Sequence, residues 1–114
     1  MGRAVGIDLG TSFCVAAIIE NKIPVVIPNS EGNNLTPSVY AFTDKKEHLV
    51  GKAAKDQAKD NPGNTVFSIK RYMGTDHRVV VDGYGFSPQQ ISAFILKKIK
   101  RDVENYLNET VDQA

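Results

Sequence analysis

Cysteine is almost missing from this sequence: Cys14 stands alone. A lone cysteine makes no internal disulfide, and its place in an apolar stretch reads as a buried, inert thiol. Tryptophan is absent, and the two histidines, His48 and His77, are isolated from each other and from Cys14. That excludes a zinc site of the Cys/His type and leaves both histidines as exposed turn or strand residues. No basic block exists either. Fourteen Lys and Arg face thirteen Asp and Glu, spread along the chain to a net charge of +1, so the electrostatic footprint of a nucleic-acid binder is missing. No apolar run approaches the ~20 residues that span a bilayer, and Met1-Gly2-Arg3-Ala4 leads into an apolar alternation without the pattern of a secretory signal. The cytoplasm is the expected compartment. With 114 residues the chain makes one compact unit, and a two-lobed catalytic domain would need more.

What is present begins with strands. Ala4 to Leu9 alternates within a strand expected over about 3–9, setting Val5, Ile7 and Leu9 on one face and Ala4, Gly6 and Asp8 on the other. Cys14 to Ile19 is a nearly unbroken apolar run, which predicts a second strand over about 13–20 buried on both faces. Asn21-Lys22 turns the chain into a third antiparallel strand, Ile23 to Ile27, whose Pro24, followed by Pro28, places it at a sheet edge. The segment from Pro28 to Asn34 is the strongest loop signal, and a subdomain boundary is expected between Leu35 and Ser38, dividing the chain into 1–38 and 39–114. Val39 to Phe42 and His48 to Val50 predict a hairpin, and Lys52 to Lys59 a helix stopped by Asn61-Pro62-Gly63-Asn64. Val66, Ile69 and Met73 share one helical face, predicting a short helix over 66–73. Asp82-Gly83 predicts a two-residue hairpin turn. Ser87-Pro88-Gln89-Gln90 opens the clearest helix, with Ser87 as N-cap, Pro88 at the first position and Gln90 closing a capping box. Its apolar stripe is Ile91, Phe94, Ile95, Ile99, Val103, Tyr106 and Leu107, opposite a solvated face with Lys97, Lys100, Arg101 and Glu104.

The chemistry concentrates in Gly6-Ile7-Asp8-Leu9-Gly10-Thr11-Ser12-Phe13, a turn between two strands carrying one carboxylate and two hydroxyls. Gly10 lets the backbone approach closely, Thr11 and Ser12 add hydroxyls, and successive N–H groups can form an anion-holding concavity. Two readings of Asp8 stay open on residue types alone: a carboxylate that holds magnesium through water, or one that caps its own turn. The segment is no Walker loop, because no Gly-Lys-Ser/Thr follows and a strand comes next. It also lacks the glycine pattern and helix of a dinucleotide fingerprint. Lys70, beside Arg71, is a second candidate for phosphate chemistry or a plain solvated lysine.

Gly6 to Thr11 resembles the first phosphate motif of the actin, sugar-kinase and heat-shock-chaperone ATPase superfamily. Later segments narrow the resemblance: Asn29 to Asn33, Leu35-Thr36-Pro37-Ser38-Val39-Tyr40-Ala41-Phe42, Leu49-Val50-Gly51, Asn61 to Arg71 and Ser87 to Ala93 are similar to the seventy-kilodalton heat-shock chaperones of the DnaK type, over essentially the whole chain. The resemblance implies an α/β fold, α+β in this fragment: a partial actin-like, ribonuclease H-like ATPase fold with antiparallel N-terminal strands of subdomain IA and a small mixed subdomain IB ending in a long helix. It implies ATP or ADP with Mg2+ as cofactors, Asp8 holding the metal through waters, and Gly10, Thr11, Ser12 and the Phe13 backbone around the phosphates. Lys70 would position the attacking water and Arg71 would lie toward the adenine. Ser12 stands where threonine is usual and Phe13 where asparagine or tyrosine is usual. In the parent, unfolded polypeptides, a J-domain co-chaperone and a nucleotide-exchange factor would be partners. The fragment itself is expected to be inactive as an ATPase, and the first strand, with its parallel partner missing, is expected to expose the backbone of Val5, Gly6 and Ile7 as a free edge that pairs into a dimer or a swapped assembly. A sugar kinase of the same superfamily and a non-catalytic docking module for co-chaperones are the alternative readings.

Overall fold

The computed structural model describes residues 3–69, 78–81, 83–108 and 111–113. The first alternating segment forms two strands, β1 (Arg3–Ala4) and β2 (Gly6–Leu9), separated at Val5, whose side chain is buried. The apolar run forms β3 (Phe13–Glu20), and Asn21 and Lys22, both at positive φ, turn it into β4 (Ile23–Ile27). Two left-handed residues in succession match the twist of the flanking strands in a tight hairpin. β3 is central, antiparallel to β2 from Gly6↔Ala17 to Leu9↔Cys14 and to β4 from Ala16↔Ile27 to Glu20↔Ile23. β4 lies at the sheet edge, as Pro24 within it and Pro28 just after it predict. A two-residue strand, β5 (Thr36–Pro37), pairs with the start of β3 through Phe13↔Pro37 and Cys14↔Thr36.

Burial along β3 corrects one expectation. Cys14, Ala16 and Ile18 are buried while Val15 and Ala17 are half-buried and Ile19 is exposed, so the strand has one buried face rather than two. Uniform apolar composition hides which face packs; the helix and second sheet cover only one of them.

After β5 the chain enters a second, three-stranded sheet of β6 (Val39–Phe42), β7 (His48–Val50) and β8 (Thr65–Phe67), in the order β7-β6-β8. The helix after β7 is shorter than expected: α1 covers Lys52–Asp56, followed by 3-10 turns at Ala58–Asp60 and Pro62–Asn64. The helix expected over 66–73 is corrected to strand β8, which pairs with β6 through Val39↔Phe67, Tyr40↔Val66 and Ala41↔Thr65. Thr65, Val66 and Phe67 favour a strand, and the open edge of β6 outweighs the weak helical spacing of Val66 and Ile69; Met73 lies outside the described residues.

The second hairpin, β9 (Val79–Val81) and β10 (Tyr84–Phe86), is antiparallel, with Gly83 at φ 81°. The long helix α2 (Pro88–Leu107) has the full capping box, the Ser87 hydroxyl accepting from Gln90 N–H and the Gln90 side chain accepting from Ser87 N–H, and it ends on Asn108 in the left-handed conformation. Its Ile91, Ile95, Ile99 and Val103 are buried in the core with Val5, Cys14, Ala16, Ile18, Tyr40 and Val66. Tyr106, expected in that stripe, is 60% exposed. The last strand, β11 (Val111–Gln113), runs parallel to β1, from Arg3↔Val111 to Ala4↔Gln113. The expectation that the first strand lacks a parallel partner is therefore corrected for Arg3 and Ala4. Among the described residues no helix is long and apolar enough to cross a membrane.

Tyr40 ties the second sheet to α2. Its ring stacks on Phe94 at 5.2 Å, and its hydroxyl lies 2.5 Å from Nδ1 of exposed His48, which in turn stacks on Phe94 at 4.4 Å. Burial pushes the Tyr40 phenol up to about 12 from its ordinary 10.0, because the phenolate cannot be solvated there.

Candidate functional site

The hairpin tip between β2 and β3 is built on backbone contacts. Gly10 N–H donates to the Phe13 carbonyl at 3.1 Å, and a Cβ built on Gly10 would come within 2.4 Å of that same Phe13 oxygen. No side chain fits there, so glycine is required by close backbone approach. Asp8 precedes the tip on the face of the sheet opposite Ile7 and Leu9, and it is exposed. Ser12 and Phe13 are exposed at the tip, while Thr11 is half-buried. The structure thus brings Asp8, Gly10, Thr11, Ser12 and Phe13 together at one end of the sheet. Lys70 and Arg71 lie outside the described residues.

Ser38 holds this tip from behind. It is 3% exposed, its N–H donates to the Ser12 carbonyl at 2.9 Å, and its carbonyl accepts from Ser68 N–H at 3.1 Å. Its hydroxyl donates to the Gly10 carbonyl at 2.8 Å. The Cys14 sulfur lies 3.1 Å from the same hydroxyl oxygen. Because the one hydroxyl hydrogen is committed to Gly10, the thiol is the donor in that second contact. Ser68, on the other side of Ser38, adopts φ 54°, an uncommon conformation for a residue other than glycine, asparagine or aspartate.

Two clefts flank Phe13. One, of about 280 Å3, is lined by Ser12, Ser38, Lys55, Phe67 and Ser68. The other, of about 290 Å3, lies under the loop after β4 and is lined by Phe13, Asn29, Leu35, Lys52 and Lys55. That loop is fixed by Asn29, whose Oδ1 accepts from Glu31 and Asn33 N–H and whose Nδ2 donates to the Leu35 carbonyl and the Thr36 hydroxyl. Lys55 Nζ stands 6.0 Å from the Phe13 ring centroid, within reach of a cation–π contact. A larger cleft of about 450 Å3, lined by His48, Phe94, Lys97 and Arg101, lies between β7 and α2, away from the tip. Size alone would point there; the glycine turn and its hydroxyls point to the tip.

Chemically the tip offers main-chain groups, two hydroxyls, one carboxylate and a lysine from α1. Among the described residues, no group of three or more His, Cys, Asp or Glu side chains comes together to hold a metal. Asp8 alone suits a hydrated magnesium ion that is also carried by phosphate oxygens, since Mg2+ keeps several waters and takes one or two carboxylates. The donor set therefore fits a magnesium-bound polyphosphate and does not fit a caged metal. Sequence reasoning missed Ser38 and Lys55 as parts of the site. Ser38 sits 28 residues from Gly10, and no local pattern announces such a contact.

A comparison with known families gives an independent finding. The family model described as Hsp70 protein matches residues 4–114, nearly the whole chain. Members of that family have the actin-like ATPase fold, with which mixed strands and one long helix are compatible, and bind ATP or ADP with Mg2+. This chain belongs to the Hsp70 family.

Proposed function

We propose that this chain is the nucleotide-binding N-terminal part of an Hsp70 chaperone ATPase domain of the DnaK type, with residues 1–38 as the first strands of subdomain IA and 39–114 as subdomain IB. The observation that carries this reading is the Gly10 turn, where the backbone closes to a distance no side chain tolerates and Thr11, Ser12 and Asp8 surround it. A triphosphate needs donors for its oxygens and a cation for its charge. Gly10, Thr11, Ser12 and the Phe13 backbone would face the phosphates, and Asp8 would hold magnesium through water. Lys70 and Arg71 take the water-positioning and adenine-side roles.

The tip supplies one wall of such a site. Phosphoryl transfer depends on positioning and charge stabilisation around the whole phosphate, and the described residues bring one carboxylate to it. The chain alone is therefore expected to bind MgATP weakly and to turn it over far more slowly than an intact Hsp70. Titration followed by amide shifts, with a turnover assay on the same sample, tests both halves. Shifts confined to residues remote from 8–13 defeat the binding reading, and turnover near that of an intact chaperone defeats the inactive-lobe reading.

A further inference from the structure

We infer that Ser38 is the positioning residue of the phosphate hairpin, orienting the Thr11 and Phe13 N–H groups toward the ligand without touching it. The inference rests on the nucleotide reading of the tip and assigns a role that reading leaves out. Ser38 anchors two carbonyls of the tip, Gly10 through its hydroxyl and Ser12 through its N–H. No peptide bond among the described residues is cis, and in a planar trans peptide the C=O and the following N–H point in opposite directions. Drawing the Gly10 carbonyl toward Ser38 turns the Thr11 N–H away from it, and drawing the Ser12 carbonyl does the same to Phe13. Both N–H groups are then directed away from Ser38, at a tip whose Ser12 and Phe13 are exposed. Two such N–H groups make a fixed anion-binding concavity.

Cys14 completes the arrangement. Its thiol donates to the Ser38 oxygen, so the hydroxyl hydrogen stays directed at Gly10. Ser38 is nearly sealed from solvent, so its hydroxyl is held between Gly10 and Cys14 rather than shared with bulk water. Removing the hydroxyl frees the Gly10–Thr11 peptide to rotate. A donor preset by the fold loses its advantage once it must be ordered by the ligand.

The test uses the 114-residue chain with MgATP and magnesium pyrophosphate as probes, read by amide shifts. In the unmodified chain the Gly10 amide is expected to be protected from hydrogen exchange, the Thr11 and Phe13 amides unprotected, and the latter two first to shift. Ser38→Ala is expected to weaken binding roughly fivefold, the size of one hydrogen bond, and to shrink the Thr11 response while the amides of α2 stay in place. Ser38→Thr, which keeps the hydroxyl, restores the response; Cys14→Ala, which leaves the Ser38–Gly10 bond, costs less than Ser38→Ala. Equal binding and equal Thr11 and Phe13 responses in wild type and Ser38→Ala overturn the role of Ser38 alone. Absence of any response to either probe in wild type overturns the nucleotide reading itself. If the alanine variant does not fold, the unmodified chain still decides: protected Thr11 and Phe13 amides mean that the donors are not free, and the inference fails.

Discussion

Two serines begin the comparison that best explains this molecule. Ser87 caps α2 by accepting from Gln90, three residues on, and everything about that helix start is local. Ser38 braces the tip of a hairpin 28 residues away, and nothing in its neighbourhood announces the contact. The helix end is a module that the sequence spells out; the tip is assembled from pieces distant in the chain, held by main-chain contacts that leave almost no mark on residue type.

The strongest way to break this contrast is at Gly10. A Cβ there meets the Phe13 backbone oxygen at 2.4 Å, whereas a Cβ on Gly6, in the same strand pair, comes no closer than 3.8 Å to the Ala17 oxygen. A backbone atom cannot swing aside as a flexible side chain can. Gly10→Ala is expected to cost about 2–4 kcal/mol, or to reshape the tip, and Gly6→Ala to change stability by no more than about 0.5 kcal/mol. Urea unfolding of both variants checks the difference. Equal effects would mean that the tip has slack and that its glycine is not a steric requirement.

What was legible in the sequence follows the same division. The capping box, the turn at Asn21-Lys22, the hairpin of β9 and β10 around Gly83, and the edge position of the proline-bearing β4 were readable because each depends on residues within a few positions of one another; Asp82 lies outside the described residues. Misreadings arose where partners are remote. Val66 and Phe67, read as the start of a helix over 66–73, fall in a strand because β6 offers an edge. β3 looks buried on both faces because its composition cannot say which face the helix covers. In the candidate site, Gly10, Thr11, Ser12 and Asp8 are singled out by the turn they make, whereas Ser38 and Lys55 come to the tip only through the fold.

The second prediction sharpens the contrast at α2, whose ends are local but whose seat is not. Tyr40 stacks on Phe94, and its phenol titrates near 12 instead of 10.0. The unfolded chain loses the phenolic proton above about pH 10 while the native chain keeps it to about 12. Stability from this group is intact below pH 10 and falls by about 2–3 kcal/mol as pH rises through that window. Denaturation midpoints followed from pH 9 to 12 should show this component in wild type and lose it in Tyr40→Phe. An unchanged slope in the variant would show that Tyr40 is not the titrating group.

Ser87→Ala tests the local side. It removes the acceptor for Gln90 N–H and leaves the helix sequence otherwise intact, so a loss of about 1 kcal/mol is expected, with faster exchange confined to the first turn of α2. Faster exchange spreading to the hairpin tip would mean that the two regions are coupled and that the division between them is false.

The smallest effect is expected at Phe13, and its smallness is informative. The ring is 43% exposed, with Lys55 beside it, and at an exposed site such a contact contributes about 0.5–1 kcal/mol. Phe13→Tyr retains the ring and its face, so stability should be unchanged within about 0.5 kcal/mol. If Phe13 serves the phosphates only through its N–H, whose direction is set by Ser38 at the preceding carbonyl, affinity for MgATP should also hold within about twofold, well short of the tenfold that 1.4 kcal/mol represents. A large gain in affinity would show that a polar side chain belongs at this position and that the tip acts through more than its backbone. An unchanged affinity, set beside a loss in Ser38→Ala, would place the working part of the site in peptide groups whose orientation is fixed from the second sheet, so that a buried serine matters more than the exposed residue at the mouth.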